Sequence, residues 1–398
     1  MTSKESVLIA GVDTLIVNVK FPEHLEWNAE GTEQYNVAPT LSSEMQEVLE
    51  LWLERSKAEH EPFITTWDHE KQTLKMHPKG TTTHKYLLKN GFIDLLIGPY
   101  LQNNALARVR FSSEYLWRRG AERALVETHA FLWNLFMEDI TLQCSEIHLC
   151  ADVAHFTIPH DYERFFISHA VKERPIKASQ LDRPVYRYHE IETLQFSGHG
   201  NPVSVSIYDK PAEIKQKSPE KVWFHDLWKI KGWEEDVPVW RVECRIKREA
   251  LHEMDIEDAY DALFKIPALW AYCVGHAGQK DGWVRMLTIN RRDSNRRRWN
   301  TASAWVSIQK AFEEMTEGVD IADVQRERKR EVNKDRAEKA IAGYTTTYAA
   351  WLQDEINMED DASIVMQRLY QKMLEIWEKR GEDFHALRIK KQYVYHLA

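Results

Sequence analysis

Short runs of β-forming residues, each closed off by Gly, Pro or Asn, recur through the first 250 residues, whereas no proline follows Pro267 and glycine becomes rare after Gly282. That asymmetry excludes a uniform helical bundle and a pure β-sandwich alike. Val7 to Val19 alternates apolar and polar residues and reads as a half-buried strand. Phe92 to Ile97 and Ala105 to Phe111 are strand candidates joined by a turn around Gly98 and Pro99. Ser112 or Ser113 is placed to cap a following helix, in which Leu125, Leu132, Leu135 and Phe136 recur at helical spacing. Four further β-type runs follow at 145–156, 192–198, 203–209 and 239–247. The expectation is an α+β fold: a mostly antiparallel sheet with covering helices over 1–250, then a mainly helical region over 251–398. Segment 322–340, with seven basic and five acidic residues and hardly any apolar stripe, reads as a solvated helix or a linker rather than a DNA-contacting helix.

Charge narrows the function classes. With 62 acidic against 53 basic residues the formal charge is −9, so any nucleic-acid contact must use a local basic patch. Such a patch exists at Arg285–Arg298, where six Arg face one Asp, flanked by Trp283, Trp299 and Trp305. Guanidinium groups pair with phosphates bidentately, and aromatic rings stack on bases. Arg291, Arg292, Arg296, Arg297 and Arg298 are therefore candidate DNA contacts, with a solvated loop as the competing reading. The four cysteines show no C-x-x-C spacing, which suits buried thiols in a reduced, cytoplasmic protein. The N-terminal apolar stretch is broken by Asp13 and Asn18, unlike a signal peptide, and no run is long enough to span a membrane.

Three strand-borne clusters carry possible chemistry. In Glu146-Ile-His148-Leu-Cys150-Ala-Asp152, residues two apart share one face, and an imidazole and a carboxylate there could help hold a hard divalent cation. An exposed polar sheet face is the simpler alternative. In Ser204–Lys210, Tyr208 ends a strand beside Lys210, which could lower its phenol pKa or neutralise an oxyanion; an ordinary strand-end tyrosine competes with this. In Trp240–Lys247, Arg241, Glu243, Arg245 and Lys247 share a face that could supply a carboxylate to a metal and cations to a phosphate backbone, or be a solvated face laced with ion pairs.

In chain order, Gly11–Asn18, Val109–Trp117, Glu146–Asp152, Thr193–Gly198, Ile207–Glu213 and Trp240–Lys247 resemble the motifs of the replication initiation factor family (Rep_trans), rolling-circle plasmid initiators and related relaxases. The combination of IYDKPAE with WRVECRIK about thirty residues later is the more specific part. Glu146 and His148 stand where that family usually shows Arg and Asp, and no His-hydrophobic-His signature is present. The resemblance implies a DNA nicking and closing enzyme. A divalent metal (Mg2+ or Mn2+) held by His148, Asp152 and Glu243 would polarise the scissile phosphate, and Lys210 would stabilise developing charge. Tyr208, or else Tyr186 or Tyr188, would attack to leave a 5′-phosphotyrosyl link and a free 3′-hydroxyl. Origin DNA, a host helicase and a second copy of the chain are the implied partners, with the helical region serving recognition, dimerisation or helicase contact. A relaxase mobilising an integrative element and a catalytically silent DNA-binding regulator are the alternatives.

Overall fold

A computed structural model of the chain describes residues 6–22, 24–27, 34–37, 39–101, 104–159, 161–170, 183–187, 190–198, 200–235, 237–316, 324–326, 334–352, 362–381 and 383–394. The strands are β1 (Ser6–Lys20), β2 (His24–Trp27), β3 (Gln34–Val37), β4 (Phe63–His69), β5 (Gln72–Met76), β6 (His84–Lys89), β7 (Ile93–Pro99), β8 (Ala107–Phe111), β9 (Thr141–Ala154), β10 (Phe166–Ser168), β11 (Arg183–Arg187), β12 (Glu190–Phe196), β13 (Val203–Asp209), β14 (Val239–Lys247) and β15 (Val284–Met286). The helices are α1 (Ser43–Glu59), α2 (Ser113–Arg119), α3 (Ala121–Phe136), α4 (Lys210–Lys217), α5 (Phe224–Ile230), α6 (Arg248–Glu253), α7 (Ala259–Phe264), α8 (Ile266–Val274), α9 (Ser303–Gln309), α10 (Lys334–Trp351), α11 (Ala362–Arg380) and α12 (Phe384–Val394).

Eleven strands form one sheet in the order β11-β12-β13-β14-β9-β1-β8-β7-β6-β5-β4. Every pairing in it is antiparallel, so the α+β expectation holds. Two meanders, β4 to β8 on one side and β11 to β14 on the other, meet at the long strands β1 and β9. One face is apolar: Leu15, Val17 and Val19 of β1, Ile147, Leu149, Ala151 and Val153 of β9, and Val242, Cys244 and Ile246 of β14 are buried in the main core. Alternation then turns the intervening polar residues of the same strands to the opposite face. Among the described residues, α4 and α5 close one end of that face, packing a smaller cluster of Ile214, Phe224, Trp228 and Trp233 against Leu8, Ala154 and Val239.

Ser112 caps α2 through the amide of Tyr115, whereas the Ser113 hydroxyl donates to Asp13 instead. The four cysteines are free and buried. The chain divides into a unit spanning Met1–Arg326 and a second spanning Glu327–Ala398. The first therefore runs beyond the boundary expected at residue 250, because the apolar residues of α6 to α9, including Leu251, Leu263, Leu269, Trp270 and Trp305, belong to the same core as the sheet. Helices α10 to α12 belong to the second unit, where the Thr345 hydroxyl lies 3.3 Å from the Met366 sulfur. Of segment 322–340, residues 324–326 are irregular and 334–340 open α10; the rest lies outside the described residues. No helix among the described residues is long and apolar enough to cross a membrane.

Candidate functional site

Strand register brings the three clusters of polar residues together. Across β9 and β14, Asp152 faces Arg241, Cys150 faces Glu243, His148 faces Arg245 and Glu146 faces Lys247. Across β14 and β13, Arg241 faces Tyr208, Glu243 faces Ser206 and Arg245 faces Ser204. On the other side of β9 the pairing with β1 slips between Val12 and Thr14. This bulge inserts Asp13 and re-aims its side chain, a common role for bulges beside functional sites.

The covered end of this face is built on Arg241. Its Nε and Nη2 donate to the two oxygens of Asp152 at 2.6 and 2.8 Å, and its Nη1 donates to Asp13 Oδ1 at 2.8 Å. The Trp228 indole N–H donates to Asp152 at 2.9 Å, and the guanidinium lies 4.3 Å from the centre of the Phe224 ring. Arg241 and Asp152 are both wholly inaccessible. The bidentate geometry and the ring contact offset the desolvation that a buried ion pair incurs. Burial alone would push the Asp13 carboxyl up, but Arg241, Lys221 and Lys210, with the Ser113 hydroxyl, outweigh it and hold it well below the usual carboxylate range. Arg241 is thus a fixed internal cation, which corrects its expected role as a DNA contact.

A second chain of bonds runs along the more open part of the face. Tyr208 is half-buried, and its hydroxyl donates to Glu243 Oε2 at 2.7 Å. Glu243 Oε1 lies 3.1 Å from His148 Nδ1, and His148 Nε2 lies 2.7 Å from Glu146 Oε1. Arg245 Nε is 2.7 Å from the same Glu146 oxygen. Both imidazole nitrogens face carboxylate oxygens, an arrangement satisfied only when the ring carries two N–H groups. Burial disfavours that charge, yet the hydrogen bonds and charges of Glu146 and Glu243 outweigh it and raise His148 to about 9. In return, and against the pull of burial, the two glutamates are lowered to about 2.

Lys210 does not serve Tyr208 as its sequence position suggests. Its ammonium bonds Glu213 at 2.6 Å and sits 5.6 Å from the centre of the Tyr208 ring rather than at the hydroxyl. Burial first, then the charge of Glu243, pushes the Tyr208 phenol well above its ordinary value, the reverse of the expected lowering. Tyr186 lies on β11, two strands from β13, and Tyr188 lies outside the described residues.

The residues proposed to hold a divalent metal do not fit one as arranged. Asp152 has both oxygens committed to Arg241 and Trp228. A doubly protonated His148 offers no lone pair, since a ligating imidazole must be neutral. Among the described residues no group of three or more His, Cys, Asp or Glu side chains is disposed to hold an ion.

The arginine-rich stretch forms a loop that leaves β15 and returns at the Leu287 to Thr301 bridge. Two of its arginines shape the loop. Arg285 is buried and bonds the carbonyls of Trp299 and Arg297, and Arg296 reaches the carbonyls of Glu163 and Phe166. Arg291, Arg292, Arg297 and Arg298 are exposed. Of the flanking rings, Trp305 is core and donates to Val274, and Trp299 donates to Asp293, so Trp305 is no stacking platform.

Sequence reading missed Asp13, Phe224, Trp228 and Glu213. Asp13 had a visible signal, a charged residue inside an apolar strand, whereas the two aromatic residues had none.

No family model and no curated protein matches the chain. Among solved structures, the chain is similar to a rolling circle replication initiator protein from Geobacillus stearothermophilus, with 14% identity and a TM-score of 0.40, over 81% of this chain and 100% of that one.

Proposed function

We propose that the polar sheet face is a DNA strand-nicking and closing site with Tyr208 as its nucleophile. The observation that carries this reading is the half-buried Tyr208 on an otherwise polar face, its hydroxyl held by Glu243 at 2.7 Å, with His148 and Glu146 behind it. The order of motifs from Gly11 to Lys247 supports it. In the forward step a bond forms between the phenol oxygen and phosphorus while the bond to the 3′-oxygen breaks. The phenol proton passes to Glu243, the departing 3′-oxygen takes up a proton from solvent, and a 5′-phosphotyrosyl link remains. The 3′-hydroxyl then primes synthesis, as in rolling-circle initiation, or later attacks the link to close the strand. A phenolate is a better leaving group than an alkoxide, which makes the second transfer feasible. The exposed Arg291, Arg292, Arg297 and Arg298 would follow the phosphate backbone of origin DNA.

The free site holds Tyr208 protonated and Glu243 ionised, so the proton moves only when a bound phosphate shifts the balance. A catalytically silent DNA-binding regulator is the second reading, favoured by the raised Tyr208 phenol. Supercoiled plasmid carrying the cognate origin separates the two. Conversion to open circle, together with labelled protein–DNA adduct that disappears in Tyr208→Phe, supports nicking; origin binding with neither product supports the regulator. Mobilisation of an integrative element, a helicase partner and a homodimer belong to the same proposal and share this chemistry.

A further inference from the structure

We infer that Arg241 supplies, as a permanent part of the fold, the positive charge that a metal-dependent nuclease would obtain from a divalent ion, and that this site therefore binds no such ion. A cluster of carboxylates at a phosphoryl-transfer site needs a counter-charge before a phosphate can approach. Here Asp13 and Asp152 obtain it from a guanidinium on three charge-assisted hydrogen bonds. Glu146 obtains it from Arg245, and the two oxygens of Glu243 are held by the Tyr208 hydroxyl and the His148 ring. Both oxygens of Asp152, Asp13 and Glu243 are thus engaged or face a cation. The guanidinium is locked in place: Phe224 covers one face, Trp228 holds the far oxygen of Asp152, and the side chain has no solvent access. A metal would have to displace a fully buried cation to reach Asp152. Cations nearer the open side can meet the phosphate instead, namely Lys221, 3.6 Å from Asp13 and one-quarter exposed, and Arg245, exposed to the same degree.

The catalytic part of this inference rests on the nicking role proposed above; the binding part does not. The test is a Mn2+ titration of the full chain, followed by electron paramagnetic resonance, with and without a DNA oligonucleotide. No saturable site tighter than about 1 mM is expected, weak even for an oxygen-ligand site. A one-to-one site that is lost in Glu243→Gln overturns the inference. Adduct formation in EDTA then provides a second readout. Equal yield in EDTA and in Mg2+ supports the inference, and yield restored only by Mg2+ overturns it. If no adduct forms under either condition, the nicking role falls, and the Mn2+ titration decides the inference by itself. In Arg241→Gln, with Asp13 and Asp152 released, a Mn2+ site should appear; where that variant fails to fold, the titration of the unaltered chain still decides between the two outcomes.

Discussion

Replacing Arg241 by Met preserves much of the side-chain length and removes the guanidinium that Asp13 and Asp152 share. Among the described residues, Asp152 keeps the Trp228 indole N–H, and Asp13 keeps the Ser113 hydroxyl and Lys221 at 3.6 Å. Removing one partner of a buried pair costs about 3–5 kcal/mol because a buried charge is left uncompensated. Since Asp13 retains a partial counter-charge, a loss of about 4 kcal/mol at pH 7 is expected, equivalent to a fall in Tm on the order of 10 °C. The pH dependence carries the sharper check. In the parent protein Asp13 has a lowered pKa, so its contribution is present above the unfolded value of about 3.9 and is lost only as pH falls through the lowered one. It is flat between about pH 7 and 5. In Arg241→Met burial dominates and the folded pKa of Asp13 rises above about 3.9, so its penalty is relieved as pH falls toward that value. Urea denaturation of both proteins at about pH 7 and pH 5 should therefore show the stability gap narrowing at the lower pH. A loss under about 1 kcal/mol, or the same loss at both pH values, refutes the assignment of Arg241 as the internal counter-charge.

Three other perturbations test neighbouring parts of the site. His148 is raised to about 9 from 6.5, so its stabilising charge is fully present below pH 6.5 and is lost as pH rises through about 9. The parent should thus lose on the order of 2 kcal/mol between those limits, and His148→Gln much less, by chemical denaturation at each pH. Tyr208→Phe removes a hydrogen bond to a charged acceptor and should cost about 1–2 kcal/mol while leaving the far-ultraviolet circular dichroism unchanged; a collapse of the fold would make Tyr208 structural. Changing Arg291, Arg292, Arg297 and Arg298 together to Ala should lower the salt slope of single-strand binding by about 3, at about 0.7 per neutralised phosphate. An unchanged slope removes the loop from the interface.

Legibility in the sequence followed the physics of each element. Strands β1, β9, β13 and β14 announce themselves because one face is core and the other polar, so period-two alternation is strong. The same alternation put His148 with Asp152, and Arg241 with Glu243, on one face of each strand; the pairing of β9, β14 and β13 brings Tyr208 onto that face as well. The hairpin of β4 and β5 was silent: its turn runs through Glu70 and Lys71, both at positive φ, without the Asn-Gly or Asp-Gly signature that marks such turns. Side-chain roles were harder than positions. Arg241 and Arg245 are two residues apart on one strand face and look equivalent, yet α4 and α5 close over the first and leave the second partly open. That difference is tertiary. It turned an expected phosphate contact into a buried cation and took Asp152 out of a metal set.

The nicking role proposed for this sheet face turns on whether Tyr208 forms a covalent bond to DNA. The direct measurement is mass-spectrometric mapping of the protein after reaction with single-stranded oligonucleotides spanning the cognate origin, with nuclease trimming of the attached strand. The expected product is a nucleotide-bearing peptide whose modified residue is Tyr208. Modification of Tyr186 or Tyr188 instead, or unmodified protein from DNA that it demonstrably binds, would contradict the nucleophile assignment.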